Sequence, residues 1–279
     1  MKFFKFAGTI PALALGGLLS MAIEAHASTL VVDRGLPAEN LNNAAGSNRS
    51  NVAWGFNGAF HTGDTFSLPS TGNSALPSWR VDKLTTWFVS GSPDPQDNFQ
   101  LESRFNEISL FLGTNLGAGS SINRAANSSI TGNVANAANV TITPVTYGDG
   151  QNYQGSGGGD IQIWQVDFTD LGTFSAGDYA FSVAGLPDDD PFFNHASNAD
   201  LGGVVADGSD NQYAWFSGSA ADASLTLGGF IDSNGNGWDK ASDINVQVTA
   251  APIPLPAAGW LLLTAFGGLG IAARRRKAA

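Results

Sequence analysis

The sequence predicts an all-β protein: a single β-sandwich domain, jelly-roll-like, with a signal helix before it and a transmembrane helix after it. Three observations carry this. Apolar and aromatic residues recur in short alternating runs, the period of half-buried strands. Gly, Asn, Ser and Asp cluster between those runs, where turns use them. No stretch of the body shows a long 3.6-residue apolar period with helix caps.

Taken in order, residues 1–27 read as a secretory signal peptide. Lys2 and Lys5 form a charged start, "FAGTIPALALGGLLSMAI" an apolar core, and Ala25 and Ala27 the small-residue positions of a cleavage site before Ser28. The domain follows over 28–250. Its strand-like runs are "VAWGF", "WRVDKLTTWFV", "NEISLFLG", "NVTITPVTY", "DIQIWQVDF", "GDYAFSVAG", "NQYAWFSG", "ASLTLGGFI" and "DINVQVTA". In the last, Ile244, Val246 and Val248 share one face, opposite Asn245, Gln247 and Thr249, as in a half-buried strand. Residues 113–139 are poor in bulky side chains and read as a flexible loop or weak edge strands. Residues 147–160, "YGDGQNYQGSGGGD", read as a long hairpin loop.

Composition narrows the function. Residues 28–250 hold seven Lys and Arg against 23 Asp and Glu, a net charge of −16. Such a surface repels nucleic acid. The chain has no cysteine, which excludes disulfides, thiolate nucleophiles and Cys-ligated metals. Stability therefore rests on core burial, for which the domain is long enough.

Few motifs carry chemistry. "DSNGNGWDKASD" (232–243) fits a calcium loop, with Asp232, Asn234 and Asn236 at positions one, three and five. The Trp238 carbonyl falls at seven and Asp243 at twelve. The spacing resembles the short calcium loops of dockerin modules, although the flanks read as strands. The alternative is an Asn/Gly hairpin turn, with Asp243 opening the last strand. In "LPDDDPFFNHASNAD", Asp188, Asp189, Asp190, His195 and Asp200 read as a solvated acidic loop rather than a metal site. Arg34 and Arg49 are scarce cations, and a structural ion pair with a buried carboxylate is the reading for them. Trp87, Trp164 and Trp215 sit in strand-like runs and read as core. Trp79 and Trp238 lie among turn residues and are the candidates for stacking on sugar rings. No nucleophile elbow, P-loop or H-E-x-x-H is present.

The end of the chain, 251–279, reads as a membrane stop by its parts. Pro252, Pro254 and Pro256 make an extended approach. Residues 257–273 are uncharged and, as a helix, reach about 25 Å, the lower edge of a membrane span. Arg274, Arg275, Arg276 and Lys277 follow and stay cytoplasmic by the positive-inside rule.

This tail resembles the C-terminal signals of the PEP-CTERM class of Gram-negative bacteria, in its VPLPA form. The motif stands here as Ile253, Pro254, Leu255, Pro256 and Ala257, with Ile for the leading Val. The resemblance implies processing by an exosortase-like membrane enzyme and delivery to the cell surface or matrix, alongside exopolysaccharide export. The body is similar to the β-rich domains that carry such tails. The expectation is an exported, non-enzymatic, polysaccharide-associated protein whose partners are the Sec-type export machinery, the exosortase-like enzyme, the membrane in transit and exopolysaccharide. A calcium-stabilised adhesion component and a secreted carboxylate-dependent hydrolase are the alternatives.

Overall fold

The computed structural model describes residues 27–36, 50–54, 60–74, 76–89, 101–103, 105–145, 162–186, 193–197, 212–231 and 243–253. The signal peptide up to residue 26, the span 257–273, the basic end and the 147–160 loop lie outside them. Among the described residues, apart from one 3-10 turn at Leu101–Ser103, the regular structure is all strand. In chain order the strands are β1 (Thr29–Arg34), β2 (Ser50–Trp54), β3 (Phe60–Leu68), β4 (Ser78–Val89), β5 (Glu107–Thr114), β6 (Ser121–Thr131), β7 (Val134–Ala135) and β8 (Val140–Pro144). Then come β9 (Ile163–Ser175), β10 (Gly177–Leu186), β11 (Phe193–Ser197), β12 (Tyr213–Ser217), β13 (Ser224–Ile231), β14 (Asp243–Ile244) and β15 (Val246–Ile253).

Two antiparallel sheets face each other, as a sandwich requires. The first runs β1-β15-β4, with β9 and then β8 beyond β4, and with β11, β14 and β2 at one end. The second runs β13-β12-β3-β10-β5-β6, with β7 turning back off β6. β13 also pairs with β6, Leu225 opposite Ile122, so these six strands close into a ring.

Closure gives the second sheet two apolar faces. On β10, Tyr179, Phe181 and Val183 point to the first sheet, where they meet Leu84, Phe88, Trp164, Val166 and Val248. Ala180 and Ala184 point into the ring with Phe111, Ile122, Phe216, Leu225 and Leu227. The ring mixes large side chains with alanines and leaves no room beside Gly63. A Cβ on Gly63 would fall 1.9 Å from the Phe181 carbonyl oxygen and 2.7 Å from the Phe216 ring. The central stretch of 113–139 is β6, paired to β5 and β13, so that part is neither a loop nor an edge.

The last strand runs past residue 250. Pro252 lies opposite Trp79 and Ile253 opposite Ser78, so Ile253 belongs to the sheet. β15 is flanked by β1 and β4, and Thr29 pairs with Ala250. Ser28 and Ile253 therefore leave the sandwich side by side. We term this the near pole. It also holds the tight turns at 69–77 and 175–177. Arg34, Phe60, His195 and Asp243 mark the far pole.

Candidate functional site

A buried polar clasp joins the two sheets at the far pole. Strand alternation puts Arg34 there, since β1 turns Val32 and Arg34 inward. On β3 the inward residues are Thr62, Asp64, Phe66 and Leu68. Arg34 Nη1 donates to Asp64 Oδ2 at 3.1 Å and to Asp243 Oδ1 at 2.9 Å. Its Nη2 donates to the Thr65 carbonyl. Asp64 also accepts from the amides of Thr65 (2.6 Å) and Ile244 (2.7 Å). One carboxylate of the second sheet thus binds a guanidinium and an amide of the first.

Beside the clasp the first sheet forks. β4 pairs β15 as far as Thr86 opposite Val246; beyond it, β11 takes over at Phe88 and Val89. Asn245 sits in the fork, between β14 and β15. Its amide donates to the His195 carbonyl at 3.0 Å, and its own carbonyl accepts from Thr86 Oγ1 at 2.8 Å. The side-chain Nδ2 donates to the carbonyls of Arg34 (3.1 Å) and Gly35 (2.6 Å). Oδ1 is left to accept, so His195 Nδ1, 2.7 Å away, carries the proton. Asn194 completes the set by donating to Thr62 Oγ1 at 2.5 Å, and Ser182 Oγ donates to the Thr62 carbonyl at 2.7 Å.

Burial shifts two of these groups in opposite senses. It pushes the Asp64 carboxyl up to about 8, against the pull of Arg34 and with the push of Asp243. The two amide donors hold that rise in check. Burial pushes His195 down to about 4, against the Asn245 hydrogen bond. Folded Asp64 keeps its proton to higher pH than the unfolded chain, whose value is 3.8. Its contribution is full below that value and is lost as pH rises through 8. The contribution of His195 is full above the unfolded 6.5 and is lost as pH falls through 4. Between these limits the slopes oppose each other, and above 6.5 only that of Asp64 remains. We expect the urea-unfolding free energy to be level from about pH 4.5 to 6.5 and to fall by about 1–2 kcal/mol by pH 8.5. An equal value at pH 6.5 and 8.5 contradicts this.

The sequence-predicted residues divide as follows. Arg34 makes the expected ion pair with buried carboxylates. Asp243, the twelfth position of the calcium loop, is corrected: it opens β14, is 2% exposed and pairs with Arg34. Asp232, Asn234, Asn236 and Trp238 lie outside the described residues. Trp79 is corrected too. It is 7% exposed and donates from Nε1 to the Pro69 carbonyl at 2.7 Å, so it packs in the core and offers no platform. His195 is no part of a solvated loop; it is fully buried on β11. Trp87 and Trp164 are buried as expected.

Trp215, expected in the core, is only half-buried. Its indole lies flat over Gly228, where a Cβ would fall 2.2 Å from the ring. Phe60, 37% exposed, meets it edge-on with centroids 4.9 Å apart. This aromatic shelf stands at the far pole, where Phe60 lies opposite Ser217 and Trp215 opposite Thr62. Sequence reasoning missed Asp64 and the shelf. The only signal for Asp64 was its place on the same alternating face as Phe66 and Leu68. Comparison with protein-family models, with curated proteins and with solved structures returns no match.

Proposed function

We propose that this protein is an exported, non-enzymatic domain of the cell surface or matrix, delivered by its leader and PEP-CTERM-type tail and associated with polysaccharide. One observation carries the reading: Ser28 and Ile253 leave the fold side by side at the near pole. A domain held by both ends at one pole presents its other pole outward, whether the tether is the membrane in transit or the site of final attachment. The outward pole carries the Trp215–Phe60 shelf. An indole face stacks on the C–H face of a pyranose ring, with Trp215 backed by bare backbone at Gly228 and Phe60 standing at 77° beside it. The two histidines that a Ser–His–Asp set would use, His61 and His195, are both buried, which favours binding over hydrolysis.

The test is retention of the exported protein on exopolysaccharide from the cells that make it. Trp215→Ala is expected to lower retention at least fivefold while leaving the thermal midpoint within a few degrees. Equal retention by the variant, or none by the parent, overturns the polysaccharide part.

A further inference from the structure

The near pole holds a charged group that the fold itself does not use. Asp82 stands at a register break in β4, where the pairing with β9 shifts between Val81 and Lys83 and that with β15 shifts between Thr249 and Ala250. A residue at such a break is released from the ladder and free to turn its side chain elsewhere. Asp82 Oδ1 accepts from Arg80 Nε at 2.5 Å, and Oδ2 accepts from Ser28 Oγ at 2.5 Å. Asp170 lies within electrostatic reach of Arg80. Asp82 thus holds one exposed guanidinium and one neutral hydroxyl, with Asp170 adding a weaker negative charge nearby.

We propose that removal of the leader after Ala27 creates an ammonium on Ser28 that pairs with Asp82 and pins the start of β1 to the sheet. The proposal rests on the leader reading, in which Ser28 is the first residue of the mature chain. The nitrogen is three bonds from the Oγ that already touches Asp82. In the uncut chain that nitrogen is a neutral amide with one hydrogen. In the cut chain it carries a positive charge and three donors, and hydrogen bonds between charged groups are roughly twice as strong as neutral ones. Residue 29 is already in register with Ala250, so docking needs no rearrangement of the strand. Processing would thus leave a domain whose amino terminus is tied down and shielded, next to the point where the tail departs.

The experiment uses the full chain in detergent, with a protease recognition sequence placed before Ser28 so that cleavage leaves Ser28 first. The rate of acylation of the terminal amine at pH 7 is followed by mass spectrometry. Lys83, which faces Asp167 instead, serves as the internal reference. Pairing with Asp82 keeps the amine protonated, so Asp82→Asn is expected to speed its acylation by about threefold to tenfold, the effect of raising an α-amino pKa by half to one unit. Ser28→Ala keeps the ammonium and is expected to keep the protection. Equal rates in the parent and Asp82→Asn overturn the proposal, as does loss of protection in Ser28→Ala alone. The natural cut is read separately, from the mass of the exported protein, so an error in the leader reading shows there and not in the acylation rates.

Discussion

Arg34→Met lowers the thermal midpoint by about 10 °C, the largest loss expected of any single side-chain change. Breaking a buried ion pair by removing one partner costs about 3–5 kcal/mol, because the remaining charge stays buried without its counter-charge. Here Asp243, at 2% exposure, is left as a buried carboxylate without its counter-charge, and Asp64, at 1%, loses its guanidinium donor. In a domain of this size each kcal/mol moves the midpoint by about 2–4 °C. Replacing the whole set with apolar residues, as in Arg34→Met with Asp64→Leu and Asp243→Leu, is expected to lose much less, since no charge is then stranded. Thermal melting of the two variants decides it. A single variant as stable as the parent would show that the clasp does not hold the sheets together.

Gly63→Ala is the second large effect, and its cause is space. The added methyl meets the Phe181 carbonyl oxygen at 1.9 Å. That oxygen belongs to backbone paired on both sides, to β3 and to β5, and cannot yield alone. Overpacking a core usually costs about 1–3 kcal/mol; here the clash is with a closed ring, and a loss of about 3 kcal/mol or failure to fold is expected. Gly228→Ala provides the contrast. Its methyl meets the Trp215 indole, a side chain at the surface that can swing aside, so the loss in stability is expected to be smaller. Equal melting of the two variants would contradict the closed, tightly filled ring.

These two sites show what alternation alone reveals and what it hides. The strand-like runs from "WRVDKLTTWFV" to "DINVQVTA" fall on strands, because a period of two is a local property of each segment. Arg34 was legible for the same reason: a rare cation in an acidic chain needs an acidic partner. The partner, Asp64, was not, since it lies 30 residues away and meets Arg34 only when the sheets stack. Ring closure was equally hidden. The β6–β13 pairing joins segments about a hundred residues apart, and the Gly, Ser and Asn around β6 read locally as loop composition. Trp79 misled because turn residues flank it, yet its indole reaches back to Pro69 and closes the near pole. The tail reads as a sorting signal from its pattern of prolines, apolar span and basic stop. Only the strand pairing of Ile253 places the start of that pattern inside the domain.

The central claim is that both ends of the chain are processed where they leave the near pole, releasing a domain to the cell surface or matrix. Cell fractionation with intact-mass measurement tests it most directly. The account predicts a surface or matrix form that begins at Ser28 and ends beyond Ile253, within or just after the Pro-Leu-Pro-Ala motif. Recovery of the full-length chain in the inner membrane alone, with leader and basic tail intact, would contradict it.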